Sequence, residues 1–373
     1  MKQIPSLRNH AVRPENTEEL QALRTGKWQV YQEEATESAM LADQMIQFRA
    51  GLTFTPYANP TKCNAHCRFC SEELQRKHQK ELTAENVIQN HEEYFTGLAA
   101  AFKALSGLKS MGLSLSGLEA TSDPLWLLRL LELIGQPEDV PVFNEKVLYT
   151  NATGLHKHPD LILALQATHF DRLEISRCHY DDQINQKIMY INRNEAVHQN
   201  APYEALIKKL GDYVPVKNSC ILTQIGVNKL SEVEHYLNWA HNLGVKQVVF
   251  RELSRLDDSY LENNTKQWVE KHRVPIDPLL QAIMPNLTQT RTDWEYLHSN
   301  AGYYYYNEHF LYRGAVEVIL ETSSYHELRS RTESEVTQKL VFHSNGNLCG
   351  DWDPNSAVLA NYFTKKTAGA VLS

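Results

Sequence analysis

The chain has 373 residues, 42% of them apolar and 22% charged, with a formal net charge of -8 from 37 basic and 45 acidic side chains. This is ordinary globular composition, long enough to bury a large core, and without a long basic block it offers no footprint for non-specific nucleic-acid binding. No apolar stretch approaches the roughly 18 residues that span a bilayer, and "MKQIPSLRNHAVRPENTEE" lacks an apolar h-region, so the expectation is a cytoplasmic protein without membrane or nucleic-acid partners.

In chain order, "TEELQAL" and "EEATESAMLADQMIQF" place charged and apolar residues at helical spacing over residues 17–48. They predict an N-terminal helical extension, residues 1–48. From Gly51 the pattern changes to short β-rich runs: "LTFTPYA" (52–58), "SMGLSLSG" (110–117), "KVLYTNA" (146–152), "RLEISR" (172–177), "SCILTQIGV" (219–227) and "KQVVFREL" (246–253). Helical patterns separate them at 83–105, 124–135, 159–167, 201–211 and 231–243. Strict alternation implies right-handed βαβ units and a parallel sheet. The expected fold class is α/β, a partial (β/α)6 TIM-like barrel over residues 49–255.

After Arg255 the rhythm is lost. "KLVFHSNGNLCGDWDP" reads as a strand, an Asn-Gly turn and a second short strand. Residues 256–373 are expected to form an α+β extension covering the barrel opening. The four tyrosines 303–306 read as packing or an aromatic strand rather than a stacking platform.

Six cysteines in such a chain are too few and too unevenly placed for a disulfide framework, which favours a metal or redox role. Three of them, Cys63, Cys67 and Cys70, fall within "KCNAHCRFC". One reading is a zinc site, which needs four ligands and would take His66 or His78 as the last. The other is an iron–sulfur cubane, in which three thiolates leave one iron open. The loop follows the first predicted strand, and strand carboxyl ends carry the chemistry of parallel α/β barrels.

"CNAHCRFC" matches the C-x3-C-x-aromatic-C signature and so resembles the radical S-adenosylmethionine (SAM) superfamily, with Phe69 in the aromatic slot. The resemblance implies a radical SAM barrel in which the three cysteines hold a [4Fe–4S] cluster and SAM chelates the fourth iron. "SGLEAT" (116–121) stands where the family carries a Gly-Gly-Glu-Pro type motif. Gly117 keeps the first glycine, Leu118 and Ala120 depart from the pattern, and Glu119 stays in register for the SAM ammonium. Asn151 in "LYTNATGL" resembles the family's Thr-Asn-Gly segment and is a candidate for SAM or substrate.

In "LEISRCHY" the candidates for the SAM ribose and carboxylate are Glu174, Ser176 and Arg177, with Ser176 favoured; Glu174 and Ser176 should share one strand face. Ile225 and Val227 stand where the family touches adenine, and Arg251 ends the sixth predicted strand, placed either to bind a carboxylate or phosphate or to pair with Glu252 or Asp257.

The implied chemistry is reductive cleavage of SAM to a 5′-deoxyadenosyl radical that abstracts hydrogen from substrate. Cys178, Cys220 and Cys349 are candidate hydrogen donors, and none belongs to a close pair that would suggest an auxiliary cluster. About 50 residues precede the first barrel run, too few for a cobalamin domain. The expected substrate is a small polar metabolite, such as a nucleoside, sugar or amino-acid derivative, with a ribosomal peptide as rival. The expected electron donor is external, a flavodoxin or ferredoxin. A non-catalytic zinc or iron–sulfur binding module is the alternative from another class.

Overall fold

The computed structural model describes residues 28–30, 35–57, 63–75, 87–136, 139–256, 258, 260–287, 292–302, 304–330 and 335–363. Chain order opens with three strands, β1 (Trp28–Val30), β2 (Thr36–Leu41) and β3 (Gln44–Pro56). The helical expectation for residues 36–48 is therefore corrected. β2 and β3 pair antiparallel with Leu41 opposite Gln44, and the two residues between them, Ala42 and Asp43, have φ of 45° and 66°. Positive φ at both central positions is the twist-matched hairpin turn. Residues 17–27 lie outside the described residues.

Next come α1 (Ser71–Gln75), α2 (His91–Leu105), β4 (Met111–Leu115), α3 (Pro124–Ile134) and β5 (Phe143–Thr150). They are followed by α4 (Thr153–Lys157), α5 (Asp160–Ala167), β6 (Arg172–Ser176), α6 (Asp182–Met189) and α7 (Asn200–Leu210). β7 (Val216–Ile221), α8 (Leu230–Asn242) and β8 (Gln247–Arg251) complete the alternating part. β3 to β8 run side by side, every neighbouring pair parallel. This is the expected six-strand partial barrel. The fifth strand ends at Ile221, earlier than its sequence run, because Thr223 to Val227 close a turn through the Thr223 N–H to Val227 carbonyl bond of 3.1 Å.

The remainder comprises α9 (Asn264–His272), α10 (Asp277–Leu287), β9 (Trp294–Ala301), β10 (Tyr305–Tyr312), β11 (Val316–Ser323), α11 (Tyr325–Ser330), β12 (Val336–Phe342), β13 (Asn347–Cys349) and β14 (Val358–Asn361). The sheet does not stop at residue 255. β11 pairs parallel with β8, and β12 pairs parallel with β3. The last third of the chain thus flanks the six-strand block with a further parallel strand on each side. The antiparallel pairs β9–β10 and β10–β11 interrupt the rhythm and hid β11 from a reading by alternation.

Alternate residues of the block face helices. Leu113, Leu115, Leu148, Leu173, Ile175, Val248 and Phe250 are buried in one core with Trp126, Leu127, Leu161, Tyr236 and other helix residues. The opposite strand face is polar and defines the barrel interior. Among the described residues no helix is long and apolar enough to cross a membrane.

Candidate active site

The three motif cysteines occupy the segment between β3 and α1, at the carboxyl end of the first barrel strand. Backbone bonds fix it against the far end of α6: His66 N–H to the Tyr190 carbonyl (3.1 Å), Arg68 N–H to Ile188 (3.0 Å), and Asn192 N–H to the Asn64 carbonyl (3.0 Å). An isolated bridge joins Ala65 to Ile191. Cys63, Cys67 and Phe69 pack on an apolar patch of Ala65, Cys178, Ile188, Met189 and Ile191.

Burial pushes the Cys63 thiol up to about 12, and the charge of Glu119 adds to the shift. Cys67 is held well above the usual thiol range by burial, then by Cys178, Cys70 and Cys63. Burial and then Glu72 raise Cys70. Buried thiols ionise when a cation compensates the charge, as iron does on binding. The donor set therefore fits an iron–sulfur cluster. His66 is exposed, so it is not gathered with the thiols, and His78 lies outside the described residues. Among the described residues no group of three or more His, Cys, Asp or Glu side chains converges to hold a single metal ion.

The turn after β4 abuts this loop. Gly117 has φ of 98°, and a Cβ there would stand 2.3 Å from the Tyr57 ring. Only glycine suits both constraints. The next residues bring the Glu119 N–H to the Cys63 thiol. Glu119 is 4% exposed. Its carboxylate accepts from Thr121 Oγ1 (2.6 Å), Thr150 Oγ1 (2.5 Å) and the Asn151 N–H (2.6 Å). Burial pushes this carboxyl up, and those donors, Asn151 first, pull it back down. Asn151 is buried too, donating Nδ2 to Asn64 Oδ1 (2.9 Å) and accepting from Thr153 Oγ1 (2.7 Å). Asn64 completes the circuit through Nδ2 to Thr153 Oγ1 (2.7 Å). Sequence reasoning missed Asn64, Thr121, Thr150 and Thr153. Asn64 sits inside the cysteine motif, which was its available signal.

Glu174 and Ser176 do share the interior face, with Glu174 1% exposed. Glu174 Oε1 meets Arg251 Nη2 at 2.6 Å and Oε2 meets Lys217 Nζ at 3.4 Å. Arg251 also reaches Glu321 at 2.8 Å through Nε. Burial opposes ionisation of Glu174, but Arg251 first and then Lys217 and Arg172 hold its carboxyl below the usual range. Arg251 is thus engaged across the barrel by Glu174 and Glu321, partners the sequence did not suggest. Asp257 lies outside the described residues. Arg177 points into the helix layer: Nη1 donates to the Val197 carbonyl (3.0 Å), Nη2 to Asn200, and its guanidinium lies 4.5 Å from the Tyr203 ring centre. Ile225 is 40% exposed on the turn after β7, whereas Val227 is fully buried in the main core.

The three other cysteines separate. Cys178 packs in the cluster-loop patch beside Cys67. Cys220 belongs to the helix-facing core and not to the interior strand face, with Sγ 3.3 Å from the Cys178 carbonyl. It alternates with the interior-facing Lys217 and Ser219. Cys349 lies on the β12–β13 hairpin, Sγ 3.6 Å from the Pro354 carbonyl. That hairpin extends the sheet beyond β12.

No protein-family model matches the sequence, and no curated protein matches it. Solved structures do. Streptococcus suis SuiB bound to precursor peptide SuiA superposes with a TM-score of 0.50 at 13% identity, covering 81% of this chain and 60% of that one. SuiB bound to S-adenosylmethionine gives 0.49 at 12% identity, covering 86% and 65%. Escherichia coli coproporphyrinogen III oxidase (HemN), a radical SAM enzyme, gives 0.39 at 14% identity, covering 70% and 67%. The chain spans 60% to 65% of the length of the two SuiB chains. With its parallel block and the cysteine loop at the end of the first barrel strand, the chain shares its fold with the SuiB structure.

Proposed function

We propose that the protein is a radical SAM enzyme in which Cys63, Cys67 and Cys70 hold a [4Fe–4S] cluster. The observation that carries this is one loop presenting three coupled thiols at the carboxyl end of β3, with the Glu119 turn in contact with Cys63. When bound, the cluster and SAM supply one-electron cleavage of the sulfonium to a 5′-deoxyadenosyl radical, the electron coming from a flavodoxin or ferredoxin. The chain's residues bind and orient. The Glu119 turn stands ready for the SAM ammonium, Ser176 for its polar groups, and exposed Ile225 for its adenine.

The substrate we favour is a small polar metabolite, because Glu174, Lys217, Arg251 and Glu321 make the barrel interior charged and hydrogen-bonding. The resulting abstraction of hydrogen would lead to epimerisation, rearrangement, dehydrogenation or bond formation. A peptide substrate is the second reading, supported by the precursor peptide bound in one structure of the same fold.

The test is anaerobic reconstitution, then SAM with dithionite. 5′-Deoxyadenosine well above a Cys67→Ala control is expected. Zinc without iron, or no product above that control with candidate metabolites and peptides present, would sink the proposal.

A further inference from the structure

Beneath the cysteine loop, α6 carries a fully buried amide whose hydrogen bonding is half used. Asn185 of α6 is 0% exposed. Its Oδ1 accepts from the Cys178 N–H at 2.8 Å. That bond fixes which end of the amide is which, so the other end is the Nδ2 donor. Among the described residues Nδ2 has no hydrogen-bond partner. A buried amide donor left without an acceptor is unfavourable and calls for an explanation.

Its surroundings narrow the acceptor. Residues three and four apart share a helix face, so Asn185 stands on the face of Ile188 and Met189. Those two pack with Ala65, Cys67 and Cys178. The Ile188 carbonyl also receives the Arg68 N–H (3.0 Å), which ties this face to the cluster loop. The side chains that pack on this face are apolar or carry sulfur, and Thr223 Oγ1, the buried hydroxyl beside Ile188, makes no hydrogen bond with Asn185. A cluster on Cys63, Cys67 and Cys70 would add sulfide and thiolate acceptors where the free thiols offer little.

We propose that Asn185 is a positioning residue for the cluster, its Nδ2–H donating to a cluster sulfur on the Cys67 side. The inference rests on the radical SAM reading above. Hydrogen bonds to cluster sulfurs are one of the protein's levers on reduction potential. A donor stabilises the electron-rich reduced form, so its loss makes reduction harder. The acceptor half of the same amide holds the backbone of Cys178. One side chain thereby couples the end of β6 to the redox centre.

The experiment uses the full chain, reconstituted anaerobically, with 15N-labelled asparagine. The wild-type reduced cluster should show a 15N coupling by pulsed electron paramagnetic resonance. Asn185→Asp, which keeps an acceptor for the Cys178 N–H and removes the labelled side-chain nitrogen, should lose it. Asn185→Leu should lower the reduced-to-oxidised ratio at fixed potential about tenfold, equivalent to 59 mV for one electron, with iron content unchanged. An unmoved potential in a loaded Asn185→Leu protein, or a 15N spectrum identical in wild type and Asn185→Asp, overturns the inference, because labelled Asn64 in the cysteine motif contributes equally to both. If Asn185→Leu fails to load iron, the labelled Asn185→Asp comparison decides alone. A wild type that binds no four-iron cluster overturns the parent reading instead, before any variant is compared.

Discussion

The two faces of β6 and β7 solve burial in opposite ways within the same few residues. Toward the helices stand Leu173, Ile175 and Cys220, with no more to satisfy than shape. Toward the barrel interior stand Glu174 and Lys217, register partners across the strand pair, with Arg251 arriving from β8. The apolar face gains from removing hydrocarbon from water. The charged face gains from mutual neutralisation that offsets desolvation, so each member depends on the others. The outer face tolerates loss by degrees, and the inner face does not.

The sharpest way to break that contrast is Glu174→Leu, which strands Arg251 and Lys217. We expect about 3–5 kcal/mol lost, read by urea unfolding. Adding Arg251→Met, Lys217→Met and Glu321→Leu should recover much of it, since replacing the connected set removes the uncompensated charges. No recovery in the quadruple variant would show that these interior charges are not a closed set. On the outer face, Leu173→Ala should cost about 2–5 kcal/mol by transfer and cavity terms. A third change involves no substitution. Burial pushes His343 down to about 4 from its ordinary 6.5. The native state then binds fewer protons than the unfolded chain between those values. Stability is full above about pH 6.5 and falls as pH drops toward 4, by up to about 3 kcal/mol. Unfolding midpoints that stay flat over that window, or that move equally in His343→Phe, would contradict this.

Much of the barrel was legible because α2, α3, α5, α7 and α8 have amphipathic runs bounded by loop residues, α3 occupying 124–134 of the expected 124–135, whereas α1, α4 and α6 were not anticipated. The cysteine loop was legible because its ligands are adjacent in sequence. The β2–β3 hairpin was not, since its turn is Ala42–Asp43 rather than an Asn-Gly pair, while "EEATESAMLADQMIQF" also satisfies helical spacing. Nor were the partners of Glu174 and Arg251. Arg251 meets Glu174 across β7 and Glu321 across the β8–β11 pairing, contacts between residues 70 or more positions apart that no local pattern encodes. Asn185 was invisible for a related reason: an unused donor is a property of its surroundings.

The parallel pairing of β3 with β12 has a consequence for how the protein is made. Phe54 lies opposite Leu340, so the strand that launches the cysteine loop waits for a strand 286 residues further along the chain to cover its flank. Such distant pairings slow folding and leave edges exposed in the interim. During translation the exposed edge of β3 is then open to wrong partners for most of the chain's emergence. Yield in the cell should depend on how long that edge remains unshielded.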